Sequence, residues 1–62
     1  MIAINQRLRA RLSKRIESKG VVSTRTELGC DEQTMMRAAL GVPLRDDVAR
    51  RIADAVDAWE TE

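Results

Sequence analysis

Sixty-two residues carrying a net charge of +1 form one small domain, which buries only ~60% of its unfolded surface and must be well packed, stapled or oligomeric. One cysteine excludes an intrachain disulfide and a cysteine-rich zinc site, and the lack of histidine removes the commonest general base and metal ligand. No apolar run approaches the ~20 residues of a membrane span and the start lacks a signal-peptide core, so the expectation is a cytoplasmic protein without cofactor or enzymatic chemistry.

Glycine and proline occur at only four positions, Gly20, Gly29, Gly41 and Pro43, and cut the chain into helical pieces. The first helix is predicted from about Asn5, a good N-cap, to Lys19, with Gly20 stopping it. Leu8, Leu12 and Ile16 give it a buried stripe, and Arg7, Arg11, Lys14 and Arg15 line an exposed flank. A short second helix opens near Ser23 or Thr24, where Thr24-Arg25-Thr26-Glu27 has capping-box spacing. Gly29 supplies a tight turn, because a residue without Cβ takes a left-handed conformation at little cost. Asp31 then caps a third helix, Glu32 to Leu40, ended by Gly41.

In that third helix Met35, Ala38 and Ala39 fall on one face, while Glu32, Gln33, Met36 and Arg37 fall on the other. The adjacent methionines cannot both point inward. The fourth helix runs from about Arg45 to Trp59, with Asp46 and Asp47 in its positive first turn. Its stripe of Leu44, Val48, Ile52 and Val56 matches that of the first helix, and the two stripes are expected to carry the core together with Leu28, Met35 and Ala38. Ile2–Ile4 and Val21–Val22 are too short to build a sheet. Ile2, Ile4 and Trp59 are left at the chain ends, either folded over the core or forming a homodimer surface. Cys30 is expected to fill an apolar slot after the turn glycine and not to act as a reactive thiol.

Charge is distributed unevenly. Residues 1–31 hold seven basic side chains against three acidic ones, and residues 32–62 hold four against seven. Such asymmetry suits one surface that faces a polyanion and one that faces elsewhere, although it is also what solvated helices carry. Two readings of the outward face of the third helix follow. It reads base edges in duplex DNA, or it meets a protein as part of a small helical interaction module (an inhibitor, anti-repressor or antitoxin).

From Gly20 onward the chain resembles the lambda-repressor-like superfamily of DNA-binding domains, closest in its motif to the headpieces of lac-repressor-type regulators and to small phage repressors. The matching residues are Gly29-Cys30-Asp31-Glu32-Gln33-Thr34-Met35-Met36-Arg37 and Leu44-Arg45-Asp46-Asp47-Val48-Ala49-Arg50-Arg51-Ile52, about half the chain. The basic helix upstream is more like the phage-repressor branch. The resemblance implies an all-α bundle of four to five helices with a helix-turn-helix. It departs from the family at Arg25, where a small residue usually stands four positions before the turn glycine, and in the shortness of the helix before the turn.

Carried over residue by residue, the resemblance implies base contacts from Glu32, Gln33, Met36 and Arg37: Gln33 to adenine, Glu32 to cytosine, Met36 to a thymine methyl, Arg37 to guanine or a phosphate. Ser23, Thr24, Arg25 and Thr34 are implied phosphate contacts, with Arg45, Arg7, Arg11, Arg50 and Arg51 as further basic contributors. The function implied is that of a compact transcriptional repressor of phage or mobile-element type, binding an inverted repeat in double-stranded DNA as a homodimer. The domain has no room for a sensor of small-molecule ligands.

Overall fold

A computed structural model of the chain describes residues 1–59. Four helices form a small all-α bundle: α1 Gln6–Lys19, α2 Val21–Leu28, α3 Glu32–Leu40 and α4 Asp46–Ala58. The first helix packs against each of the other three, and α2 also touches α3 and α4. α3 is therefore seated on α1 and α2, with little help from α4.

Local chemistry explains each boundary. Asn5 caps α1 by accepting the Leu8 amide at 2.9 Å, and Lys19 occupies its last turn, beside the negative end of the helix. Gly20 alone separates α1 from α2, its N–H donating to the Ile16 carbonyl at 2.8 Å. α2 begins at Val21, earlier than the expected opening at Ser23 or Thr24, because that one residue both ends one helix and caps the next. The Thr24–Glu27 capping box does not form. Thr24 instead lies one turn inside α2, fully buried, and donates its hydroxyl back to the Gly20 carbonyl at 2.8 Å, the usual bond of a threonine within a helix. Glu27 is drawn to Arg15 of α1, which grips it through two nitrogens at 2.8 and 3.2 Å.

The core is aliphatic: Ile4, Leu8, Leu12, Leu28, Met35, Ala38, Leu44, Ala49, Ile52 and Val56. The two predicted stripes supply five of these, Leu8, Leu12, Leu44, Ile52 and Val56, and Ile16 and Val48 sit half-buried at their edges. Ile2 forms an isolated antiparallel bridge with Leu44, through bonds of 2.8 and 2.7 Å, and this tether draws Ile4 into the core. Ile4 is thus removed from the suggested dimer surface. Trp59 also folds inward, half-buried against the core with the Arg15 guanidinium 4.5 Å above its ring. Of the three end residues only Ile2 keeps about half its surface open, at 49%. Among the described residues no helix is long and apolar enough to cross a membrane.

The two adjacent methionines differ sharply: Met35 is fully buried and Met36 is 38% exposed. Met35→Ala should destabilise the fold by about 2–5 kcal/mol, whereas Met36→Ala should stay within about 0.5 kcal/mol. Urea unfolding of the two variants followed by circular dichroism checks the difference.

Candidate nucleic-acid interface

The surface built by α3 begins at the turn before it. Gly29 ends α2 in the left-handed region (φ 69°, ψ 30°), its N–H reaching the Arg25 and Thr26 carbonyls, and the Cys30 N–H also reaches Arg25. Asp31 then accepts the Thr34 amide at 2.9 Å and starts α3. Hydrogen bonds from Thr34, hydroxyl first and amide second, hold the Asp31 carboxyl below the usual carboxylate range. Arg25 is half-buried beside this turn, and its size does not prevent α2 and α3 from packing together. Its carbonyl serves the turn while its long side chain remains partly in solvent.

The nine residues of α3 divide as their spacing dictates. Met35 and Ala38 are fully buried and Ala39 is half-buried. Glu32, Gln33, Met36 and Arg37 all point outward. Leu40 joins them, 72% exposed and seven residues beyond Gln33 on the same face. Sequence reasoning treated Leu40 only as the end of the helix, although its spacing from Gln33 was the available signal. The outward face is therefore polar in its first turn and mixed in its last, where the charged Arg37 accompanies the apolar Leu40.

Thr34 and Arg37 meet Arg45 around one open cleft of about 160 Å³, walled by Met1, Pro43, Leu44 and Val48. The bridge between Ile2 and Leu44 brings these pieces together, and the terminal ammonium of Met1 lies 3.3 Å from Asp46. Arg45 is exposed, 3.7 Å from Asp47. Three residues scattered along the sequence thus share one rim. Ser23 is exposed on α2, but Thr24, with no exposed surface, is withdrawn from the phosphate-contacting set.

The basic flank of α1 serves other surfaces. Arg15 is committed to Glu27 and Trp59, and Arg7 lies 3.6 Å from Asp57 of α4. Arg9 contacts Gly41 at the end of α3. Arg7 and Arg11, two residues either side of it, are rotated by about 200° and face away from α3. Arg50 and Arg51 are exposed on α4.

Cys30 is half-buried after the turn, and burial pushes its thiol up, with the neighbouring Asp31 charge adding to the effect. A raised thiol is a poor nucleophile at neutral pH. Among the described residues no group of Cys, Asp and Glu is arranged to hold a metal ion. Comparison with protein-family models, with curated proteins and with solved structures returned no match.

Glu27, held low by its hydrogen bonds with Arg15, and Asp31 are both stronger acids in the fold than in the unfolded chain. The unfolded state therefore takes up protons first on acidification, and the stability these groups contribute is intact at neutral pH and drains below about pH 5. The urea midpoint should fall between pH 6 and pH 3. Asp31→Asn, which keeps the cap but cannot titrate, should flatten that decline while leaving the midpoint at pH 7 near wild type. The Cys30 thiol should react with iodoacetamide at pH 7.5 more slowly than free cysteine, as judged by mass spectrometry over time.

Proposed function

We propose that this domain is a sequence-specific DNA-binding regulator whose α3 enters the major groove. One observation carries the reading: α3 follows a glycine turn, is anchored by the fully buried Met35 and Ala38, and presents Gln33, Met36 and Arg37 together on its outward face. A helix held this way offers hydrogen-bonding and apolar side chains at the spacing of base edges. Gln33 suits adenine through its amide, Arg37 a guanine or the adjoining phosphate, and Glu32 a cytosine amino group. Met36 suits a thymine methyl. Thr34 and Arg45, on the shared rim, together with Ser23 and Arg25 at α2, supply contacts to the sugar-phosphate backbone.

The longest dimension of the backbone is 28 Å, shorter than the ~34 Å that separates successive major grooves on one face of a duplex. Reading both halves of an inverted repeat therefore takes two copies. Repression by occluding a promoter needs no catalysis, and a domain that works on DNA with its one thiol reduced belongs in the cytoplasm. The phage or mobile-element repressor is the type this reading fits. The exposed Leu40 and Met36 favour the second reading, in which this face meets a protein.

Selection from a random duplex library at near-physiological salt separates the two. A two-fold-symmetric consensus is the expected result, and binding to it should weaken steeply as salt rises. Gln33→Ala and Arg37→Ala should each cost about 1–3 kcal/mol on the selected site and relax preference at one position. Failure to enrich any sequence, with monodisperse folded protein, would sink the DNA reading and transfer the face to a protein partner.

A further inference from the structure

Arg9 differs from every other cation of α1. Its guanidinium lies over Gly41, the residue that ends α3: a β-carbon built on Gly41 would overlap Nη1 and stand 3.0 Å from Cζ. Gly41 adopts φ 80°, ψ 18°, and its N–H returns to the Ala38 carbonyl while that of Val42 returns to Arg37. The Arg9 charge thus arrives where the aligned peptides of α3 leave partial negative charge. Its Nε is buried and has no hydrogen-bond acceptor.

Burying an N–H without an acceptor costs stability, so an apolar side chain of similar length would join α1 to α3 at least as well. Packing alone does not ask for arginine here. What the guanidinium adds is a flat, charged plate pressed on the end of the helix.

We propose that Arg9 is a positioning residue, clamping the carboxyl end of α3 through Gly41 and so setting the tilt at which Gln33 and Arg37 meet DNA. The proposal rests on the DNA-reading role given above. Met35 and Ala38 seat the middle of α3, the turn at Gly29 to Asp31 holds its beginning, and Arg9 holds its end. At 1.5 Å rise per residue, a tilt of about 10° about that seat displaces Gln33 by roughly 1 Å. A shift of that size is enough to break a bidentate hydrogen bond, whose useful range spans about half an ångström.

Two measurements test this. The first compares wild type, Arg9→Met and Arg9→Lys for urea midpoint and for affinity toward the selected site against a scrambled duplex. Arg9→Met is expected to keep the wild-type midpoint or exceed it, to hold scrambled-duplex affinity within about twofold, and to lower the specific-to-nonspecific ratio about tenfold. Arg9→Lys, which keeps the charge, should recover part of that ratio. A ratio unchanged in Arg9→Met would overturn the positioning role. The second measurement is a stability cycle of Gly41→Ala in the wild-type and Arg9→Ala backgrounds. The penalty should be larger in the presence of Arg9, because the new methyl must evict the guanidinium as well as bear the left-handed strain. Equal penalties would overturn the clamp itself. Absence of any selected site would overturn the DNA role of α3 and with it the role given to Arg9, while the stability cycle still decides whether the clamp exists.

Discussion

Everything in this domain depends on how closely four short helices approach one another around an aliphatic core. With no phenylalanine or tyrosine in the chain, the fully buried positions among the described residues hold no aromatic ring, and Trp59 packs half-buried at the edge of the core. Leu12, Met35, Ile52 and Val56 are fully buried, and the small residues Ala38 and Ala49 let neighbouring backbones come near enough to exclude water. α1 lies at the centre of this arrangement, touching α2, α3 and α4. The flexible Met35 suits the irregular space beneath α3, where a branched side chain has fewer shapes to offer.

The same arrangement explains why the cations of α1 divide their labour. Arg15, between α2 and the end of α4, is spent on Glu27 and the Trp59 ring. Arg7 turns toward Asp57, and Arg9 turns the opposite way, onto the end of α3. A single basic helix thus ties three neighbours together, and its charge cannot be counted wholly toward a polyanion. The charge available beside α3 comes from Arg37 and Arg45 on a common rim.

The outward face of α3 follows from the inward one. Once Met35 and Ala38 are buried, helical spacing sends Gln33, Met36, Arg37 and Leu40 to solvent together. Gly29 in the left-handed region and the Asp31 cap make the entry to the helix abrupt. An abrupt entry and a rigid seat are what the reading role proposed for α3 would require, since loosely held side chains lose the geometry on which base recognition depends.

The sequence alone determined the helices whose ends are written in local chemistry. Asn5 and Asp31 cap the chain by hydrogen bonds to residues three positions on, so α1 and α3 begin where the residues say they do. The division of α3 into two faces was legible for the same reason, because a period of 3.6 is a property of the chain itself. What tertiary structure decided were the features that join distant residues. Thr24 looked like a cap but became a buried residue inside α2, since Gly20 had already served as the break. Glu27 was claimed by Arg15 twelve positions away, and Ile4 was drawn inward by the pairing of Ile2 with Leu44. The rim of Thr34, Arg37 and Arg45 and the seat of Arg9 on Gly41 likewise exist only after folding. Caps and periodicity act over a few residues and leave a signature in order, whereas these contacts depend on the distance between helices, which no local pattern records.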